Sequence, residues 1–384
     1  MFTEQELHIV KSEEVRAAIE QNITRNPSEI ALDKRVPNAS VVATQVKRLQ
    51  RAASKLPTLY AVRAILPPLA YEQSSSELCA ERKHLEGESA LDLTCGLGID
   101  SMALAKRFKR VVALERNEVL AEVVRENFRR LGVTNVEVVT SSAEEYLKSC
   151  TDHFDWCFVD PDRRGAQGEK LYRLEDCSPN IVALRETVAK VANRLCIKCS
   201  PLFDIEEAFR LFGDCHVEVV SLGGECKEVN IYLGAEASSS VSAVAIGQGE
   251  VKASAQREAR WSEAPSQMEQ YRYLILPDVA VQHARLVADM VDGKADVWSN
   301  KGVALATQLP EGILGRVFEI EAIHTFDPKL LKRKLKKQRI EILKRDFALS
   351  NSEIAKRLGV KEGGDARWCF TTICRKMFAI ELKN

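Results

Sequence analysis

Apolar runs alternate with amphipathic helical segments along the middle of this 384-residue chain, and no other feature restricts its fold so strongly. The apolar runs predict strands at Ala90–Leu93, Arg110–Leu114, Val136–Val139, Asp155–Val159, Arg194–Ile197, His216–Ser221 and Glu228–Leu233. Helical periodicity between them predicts helices at Ile99–Arg107, Glu118–Leu131, Ala143–Lys148, Pro179–Val191 and Ile205–Leu211. Such alternation is typical of a parallel sheet with helices on both faces. We therefore predict an α/β fold around a seven-stranded sheet.

The segments on either side of this core, which we place at 72–236, differ from it. Apolar residues at helical spacing, interrupted by prolines, predict a helical N-terminal domain at 1–71. After the core, small polar residues predict a linker over Ala235–Ser242, and a small α+β unit at 237–316 contains one helix at Ala280–Met290. A last domain at 317–384 combines strands with a short helix, for which Ser350 and Glu353 form a capping box and Gly359 marks the end.

The composition indicates a protein of a reducing compartment without a membrane anchor. The formal net charge is zero, so nucleic acid or an anionic surface would need a local basic patch. The 11 cysteines are odd in number and lie mostly in apolar runs, which argues against a disulfide framework. No apolar stretch is long enough to span a bilayer, so we expect a cytoplasmic protein. Cys196 and Cys199 have no second pair at matching spacing, so we expect no metal.

A glycine-rich turn follows the first predicted strand, in the sequence ALDLTCGLGIDSMALA. Gly96 and Gly98 allow a ligand to approach the backbone closely, next to the start of a helix. The next strand ends with Glu115, 17 residues after Gly98, where a carboxylate can accept hydrogen bonds from ribose hydroxyls. The turn does not fit G-x-G-x-x-G because position 101 is Ser101, which argues against a dinucleotide-dependent dehydrogenase.

The motifs D-L-T-C-G-L-G, V-V-A-L-E and V-D-P occur in this order at the ends of the first, second and fourth strands. Together they resemble the class I S-adenosylmethionine-dependent methyltransferases, over about residues 72–234. The resemblance implies a Rossmann-like fold and S-adenosyl-L-methionine as cofactor. It also implies the following cofactor-binding residues: Asp92, Thr94, Cys95, Gly96 and Gly98 near the methionine moiety, Glu115 at the ribose, and Arg116, Ser142 and Ala143 near the adenine, with Glu144, Gln73, Ser76 and Glu77 as weaker candidates.

Asp160 and Pro161 end the fourth strand, beside the expected sulfonium. Methyltransferases that modify exocyclic amines have Asp or Asn, two prolines and an aromatic residue here, and the acid accepts hydrogen bonds from the amine. In this chain the second proline is replaced by Asp162 and the aromatic residue by Arg163, followed by Arg164. A guanidinium can stack on a base or pair with a phosphate. The resemblance thus implies methyl transfer to a base, with Asp160 and Pro161 at the acceptor and the arginines in contact with the substrate.

Three alternatives remain. D-P-D-R-R-G and K-C-S-P also resemble the RNA uridine C5 methyltransferases, which implies Cys199 as nucleophile toward the base and Glu228 as a possible proton acceptor. Cysteine is frequent throughout this chain and often simply buried, which favours a packed structural thiol at Cys199. A small-molecule methyltransferase, or a non-catalytic RNA-binding protein with a methyltransferase-like core, is also compatible with the sequence.

Nine Lys and Arg residues and two acids lie between Asp327 and Arg345, including Lys332 and Arg333. Such a run can contact phosphates, although a solvated helix face would look the same. In its order of domains the chain resembles bacterial methyltransferases with a helical N-terminus, a ferredoxin-like unit and a C-terminal THUMP-like domain. Because true THUMP domains bind structured RNA, this resemblance implies RNA as partner.

Overall fold

The computed structural model describes residues 2–164, 169, 171, 173–234 and 239–383. The chain forms two compact units, of which the first comprises Met1–Phe203 and Asn230–Ala237, and the second Asp204–Val229 and Ser238–Asn384. Within the described ranges, no helix combines the length and the apolarity needed to cross a bilayer.

The first unit contains short helices before its first strand and helices between its strands. Those before the first strand are α1 (Glu4–Lys11), α2 (Glu13–Gln21), α3 (Pro27–Leu32), α4 (Ala39–Lys55), α5 (Pro57–Ala61), α6 (Pro68–Gln73) and α7 (Glu77–Arg82). Those between the strands are α8 (Ile99–Ala105), α9 (Glu118–Leu131), α10 (Ala143–Ser149) and α11 (Ile181–Val191). The bounds of α8 to α11 agree with the predicted helices to within about two residues at each end.

The sheet of the first unit is parallel, as predicted. Its strands are β1 (Gly87–Asp92), β2 (Phe108–Glu115), β3 (Val136–Thr140), β4 (Phe154–Val159) and β5 (Ala192–Cys199), in the order β3-β2-β1-β4-β5. From β1 the chain proceeds to β2 and β3 on one side and then to β4 and β5 on the other. This reversal of direction opens a crevice at the carboxyl ends of β1 and β4, where ligands bind in open α/β sheets.

The N-terminal helices are packed into the first unit by a core that they share with β2, α8 and α9. It contains buried residues from both regions, among them Leu7, Val46 and Leu59 on one side and Val124 and Phe128 on the other. Two buried amide side chains in this core form hydrogen bonds to the backbone. Asn127 accepts from the Ile65 amide at 2.8 Å and donates to its carbonyl at 2.9 Å, and Gln45 accepts from the Leu66 amide at 3.0 Å. The chain leading into α6 is therefore fixed from both sides.

The second unit contains the remaining helices and a second sheet. Its helices are α12 (Ile205–Phe212), α13 (Val279–His283), α14 (Val287–Val291), α15 (Pro328–Leu335) and α16 (Asn351–Leu358). The remaining strands are β6 (His216–Leu222), β7 (Glu225–Leu233), β8 (Ser240–Ala245), β9 (Gly249–Ser254), β10 (Tyr273–Pro277), β11 (Asp296–Val297), β12 (Ala304–Ala306), β13 (Gly315–Thr325), β14 (Arg339–Arg345), β15 (Lys361–Glu362), β16 (Ala366–Ile373) and β17 (Lys376–Leu382). β7 ends with residues of the first unit, and β10 to β17 form a sheet in the order β11-β12-β10-β13-β17-β16-β14-β15.

Two local predictions in the second unit are wrong. The predicted linker at Ala235–Ser242 ends in a strand, because β8 begins at Ser240 and pairs with β6 and β9. β8 and β9 are additional to the seven predicted strands. The predicted helix at Ala280–Met290 is two helices, interrupted where Arg285 adopts a left-handed backbone with φ +58°. The capping box of Ser350 and Glu353 and the end of α16 at Gly359 are confirmed.

Candidate functional site

A cavity of about 1240 Å³ lies in the first unit, at the carboxyl ends of its parallel strands. It is lined by the residues that follow each strand and, on another side, by residues of α1, α4 and α6 such as Glu6, Val41, Thr44 and Leu69. Pockets for one small ligand commonly measure about 300–1,000 Å³, so this cavity has room for a cofactor together with an acceptor group. The N-terminal helices, to which the sequence assigned no chemistry, thus form part of its wall.

At the glycine turn, backbone atoms without a side chain line the cavity. Gly96 has φ +55°, and a Cβ there would meet nothing nearer than the Thr94 carbonyl oxygen at 3.9 Å, so the position faces open space. Gly98 has φ +84° and is needed for packing, because a Cβ would lie 2.9 Å from the Phe128 ring. Glu115 holds the turn from β2, since its Oε2 accepts from the Gly96 amide at 3.0 Å. Burial raises the pKa of Glu115 above its ordinary value.

Asp92 lies behind this turn rather than on the cavity surface, and Cys95 is almost completely buried. The carboxylate of Asp92 is fully buried, and it accepts from the Thr94 amide at 2.9 Å and from the Ser101 hydroxyl at 2.6 Å. Cys95 is 5% exposed, and burial raises the pKa of its thiol well above the ordinary value. Asp92 is therefore positioned to shape the turn, while Cys95 reaches the cavity with a small part of its surface.

The buried Asp92 should make the stability of the fold depend on pH. Burial raises its pKa to about 7, so the folded protein favours the protonated form and loses this stabilisation as pH rises from about 4 to 7. An Asp92→Asn variant removes the titration, while every other group stays the same. We expect its melting temperature, relative to wild type, to be about 5 °C higher at pH 8 than at pH 4.5. Differential scanning calorimetry at the two pH values measures this, and an equal difference at both would contradict it.

Arg116, Ser142 and Ala143 border the same cavity beyond β2 and β3. Arg116 is exposed and donates to the Ser178 hydroxyl at 3.2 Å. Ser142 is the N-cap of α10, where it forms a capping box with Glu145, and Ala143 is buried at the first position of that helix. The structure thus brings these three residues to the cavity wall together with Gly96 and Glu115.

The weaker candidates of the sequence analysis divide into two groups. Gln73 and Glu144 line the cavity. Ser76 instead caps α7 by accepting from the Cys79 amide, and the buried Glu77 accepts from the backbone amide and the hydroxyl of Thr58. Ser76 and Glu77 therefore have structural roles.

Asp160 is held at the tip of β4 by its backbone and by one carboxylate oxygen. Its amide donates to the Thr94 hydroxyl at 2.7 Å, which ties the tip to the glycine turn. Its Oδ2 accepts from the Lys198 ammonium at 2.5 Å. Oδ1 accepts no hydrogen bond from the residues that the structure describes, and the side chain lines the cavity beside Pro161. The arrangement leaves one carboxylate oxygen for an outside donor.

Lys198 belongs to a network of charged groups that the sequence analysis missed. Its ammonium also donates to the Ser75 hydroxyl at 2.8 Å, which donates to Asp100 at 2.7 Å, and Lys83 pairs with Asp100 at 2.9 Å. Burial alone would raise the pKa of Asp100, but the two ammonium groups lower it to about 2, so it is charged. The sequence did contain an indication of this network, because Lys198 interrupts the apolar run Leu195–Cys199. A lysine at such a buried position almost always has a partner of opposite charge.

The two arginines after Asp162 lie at the exposed side of the cavity. Asp162 exchanges backbone hydrogen bonds with Ser178, at 2.7 and 3.1 Å, and its carboxylate accepts from the Arg164 amide at 3.2 Å. Arg163 and Arg164 are exposed and line the cavity, whereas Gly165 of the D-P-D-R-R-G motif lies outside the described residues. These side chains are placed where an anionic substrate could meet them.

Cys199 is 5% exposed and is not among the residues that line the cavity. Burial, and after it the Asp160 carboxylate, raises the pKa of its thiol far above the ordinary value, which disfavours the thiolate. Glu228 is buried in β7 and belongs to the second unit, as do Lys332 and Arg333, which are exposed on α15.

Comparison with protein families gives matches in both units. Residues 90–161, from β1 to the tip of β4, match the methyltransferase domain model, and residues 315–383 match the model of the THUMP domain-like family. The first match spans the glycine turn, Glu115, Asp160 and Pro161. The second spans β13 to β17 with α15 and α16.

Known proteins resemble the chain over different lengths. A candidate methyltransferase from Porphyromonas gingivalis W83, known from a crystal structure, is 25% identical in sequence to this chain. The two structures match with a TM-score of 0.83 over 100% of this chain and 99% of that one. An uncharacterized S-adenosylmethionine-dependent methyltransferase of Mycobacterium tuberculosis is 25% identical over 81% of this chain and 87% of its own length. A 23S rRNA (uracil(1939)-C(5))-methyltransferase of Aliivibrio fischeri is 31% identical over 30% of this chain. The chain spans between 24% and 35% of the length of that protein and of two relatives described as RNA methyltransferases.

Proposed function

We propose that this chain, an S-adenosylmethionine-dependent methyltransferase with a C-terminal THUMP-like domain, transfers a methyl group to an exocyclic amine of a base in RNA. One observation carries the choice of acceptor atom. Asp160 lines the cavity at the strand tip with one carboxylate oxygen engaged by Lys198 and the other without a donor among the described residues. A carboxylate with one available oxygen can accept an N–H of the amine that is to be methylated.

The residues around the glycine turn fit the cofactor. Gly96 has no side chain and therefore leaves space for a ligand. The Glu115 carboxylate accepts hydrogen bonds from the amides of Gly96 and Asn117. Its position in the sequence, at the end of the strand after the glycine turn, is the one at which an acid binds ribose hydroxyls in dinucleotide-binding folds. Ser142, Ala143 and Arg116 would border the adenine. When bound, S-adenosyl-L-methionine supplies a methyl group on a positively charged sulfur.

Positioning accounts for most of what this chain has to contribute to the reaction. Asp160 would hold one N–H of the acceptor and so aim the nitrogen lone pair at the methyl group that the cofactor would supply, with S-adenosylhomocysteine as the leaving group. The proton that the methylated nitrogen gives up would pass to solvent water. Holding two reactants in a productive geometry can lower a barrier by about 7–11 kcal/mol, so a displacement of this kind needs little further assistance.

RNA as the acceptor is supported by features of both units. Some relatives that match the core are described as RNA methyltransferases, and the C-terminal match is to a THUMP domain-like family. Exposed cations on and after α15 offer contacts to phosphates: Lys329, Lys332, Arg333, Lys336 and Lys337. The exposed Arg163 and Arg164 at the cavity would contact the nucleotide itself, which has to leave its stack to reach Asp160.

The proposal is tested with RNA purified from a strain of the source organism that lacks the gene. The full-length protein is incubated with this RNA and deuterium-labelled S-adenosyl-L-methionine, and the nucleosides are analysed by mass spectrometry. We expect one labelled nucleoside whose fragments place the methyl group on an exocyclic nitrogen. A label on C5 of a pyrimidine, or label in no RNA although the cofactor binds, would refute the proposed acceptor.

Methylation at C5 of a uracil is the second candidate, because the Aliivibrio relative is described as carrying it out. That reaction needs Cys199 as a thiolate nucleophile. The burial of Cys199 and the raised pKa of its thiol work against this role.

Replacing Cys199 separates the two candidates. We expect a Cys199→Ala variant to keep its methyl-transfer rate within about 3-fold of wild type, because a buried thiol is then a packing group whose loss is tolerated. The rate is measured with the same RNA and tritium-labelled cofactor, and Cys215→Ala, another buried cysteine, serves as control. A loss of 1,000-fold or more at position 199 alone, on the order of a lost nucleophile, would favour C5 chemistry.

A further inference from the structure

The buried ammonium of Lys198 occupies a central place in the first unit. It lies at the end of β5 with a side chain 10% exposed, and it contacts two groups that come from distant parts of the chain. One is the Asp160 carboxylate on β4, and the other is the Ser75 hydroxyl in the segment between α6 and α7. Lys198 therefore joins the acceptor site to a segment that forms a wall of the cavity.

The contacts on the far side of Ser75 make this connection rigid. Ser75 accepts from Lys198 and donates to Asp100, which stands in the first turn of α8 directly after the glycine turn. Asp100 is also paired with the buried ammonium of Lys83, which is 3% exposed. Two cations and two carboxylates thus alternate along one chain of hydrogen bonds. Such a network is stable in a buried place only when each charge has its partner.

The geometry points to Lys198 as the positioning residue for the methyl acceptor, in the reaction proposed above, on which this inference rests. By engaging Oδ2 of Asp160, Lys198 fixes the orientation of the carboxylate and leaves Oδ1 as the oxygen that can receive the amine. Through its hydrogen bond to Ser75, Lys198 also fixes the position of the segment between α6 and α7, which forms a wall of the cavity. A group that must be oriented to within a fraction of an ångström needs such second contacts.

The kinetic test compares Lys198→Met, Lys198→Arg and the matched control Lys190→Met, an exposed lysine on α11. Rates are measured with RNA from the strain that lacks the gene, and the Kd of S-adenosylhomocysteine is measured by calorimetry. We expect Lys198→Met to lower kcat between 10- and 100-fold, the size of effect that a small misplacement causes, with KM and Kd within about 3-fold of wild type. Lys198→Arg should recover a large part of kcat, because it can still donate to Asp160, and Lys190→Met should behave as wild type.

Two kinetic outcomes would overturn the inference. The first is a kcat of Lys198→Met within 3-fold of wild type. The second is a loss of affinity for S-adenosylhomocysteine as large as the loss of kcat, which would make Lys198 a support of the cofactor site.

A spectroscopic readout needs neither RNA nor a stable methionine variant. The ammonium of Lys198 should give a slowly exchanging 1H–15N correlation in the NMR spectrum of the full-length protein, absent in Lys198→Arg. We expect Asp160→Asn and Ser75→Ala each to shift this signal, since both alter a direct partner. A signal that neither change moves would overturn the proposed contacts. A wild-type protein that methylates no RNA would refute the proposed function, and with it the role of Lys198 in that reaction, while the spectroscopic result would still decide whether Lys198 holds Asp160 and Ser75.

Discussion

An Asp160→Ala variant should bind S-adenosylhomocysteine about as tightly as wild type and transfer methyl groups to RNA 100- to 1,000-fold more slowly. The size of the loss is that of removing one preorganised hydrogen-bonding group from a reacting centre. Affinity for the cofactor product should stay within about 3-fold, because the contacts proposed for it lie at the glycine turn, Glu115 and α10. Steady-state rates with tritium-labelled cofactor and calorimetry with S-adenosylhomocysteine measure the two quantities.

The control for this variant lies before the same strand, at the edge of the sheet opposite the cavity. Asp152 is an exposed aspartate that pairs with Arg110 at 2.7 Å, so Asp152→Ala makes the same chemical change away from the site. We expect full activity from it. An Asp160→Ala variant that keeps more than a fifth of the wild-type rate would leave Asp160 without a part in catalysis.

The second large effect concerns cofactor binding at β2. A Glu115→Ala variant should weaken the binding of S-adenosylhomocysteine about 100-fold, because hydrogen bonds from ribose hydroxyls to a carboxylate contribute roughly 1.5–3 kcal/mol each. Glu137→Ala changes an exposed glutamate on the neighbouring β3 and should leave the affinity unchanged. Calorimetry on both variants at pH 7.5 measures the effect, and an unchanged Kd in Glu115→Ala would mean that the ribose is held elsewhere.

The raised pKa of Glu115 gives this prediction a pH dependence with a definite sign. The carboxylate form accepts the ribose hydroxyls, and a raised pKa means that the protonated form appears at a higher pH than for an ordinary glutamate. As pH is lowered, the affinity of the wild type should therefore begin to fall at a pH above the ordinary range of a glutamate. In Glu115→Gln, where nothing titrates at this position, the affinity should be lower and should respond less to pH. Equal slopes for the two proteins would assign the pH dependence to another group.

Local patterns were sufficient to predict most elements of this fold. Helix α9 was predicted with its observed bounds from apolar residues at helical spacing, and the structure shows that Asn117 caps it and that Gly132 ends it in a left-handed conformation. Where the prediction failed, the deciding interaction was distant in sequence. Strand β8 contains only serine, alanine and valine, and pairing with β6 and β9 on its two sides buries it.

The candidate site was partly predictable for a related reason. Parallel strands bring their carboxyl ends to one edge, so Gly96, Glu115 and Asp160 could be grouped from their positions after predicted strands. Which oxygen of Asp160 is engaged depends on Lys198, 38 residues away, and on Ser75, 123 residues from Lys198. No periodic pattern relates residues at such distances, and the orientation of a side chain follows only from the packed structure. The contribution of the N-terminal helices to the cavity wall was unpredictable for the same reason.

The core shared by the N-terminal helices and α9 has a consequence for how the protein is made in the cell. Residues such as Leu7, Val46 and Leu59 leave the ribosome well before Val124 and Phe128, which belong to the same core. At synthesis rates of about 5–20 residues per second, some 65 residues between Leu59 and Val124 correspond to roughly 3–13 seconds. During this time the apolar faces of α1 to α5 have no partner from α9, so the nascent chain should be a client of ribosome-associated chaperones until α9 has emerged.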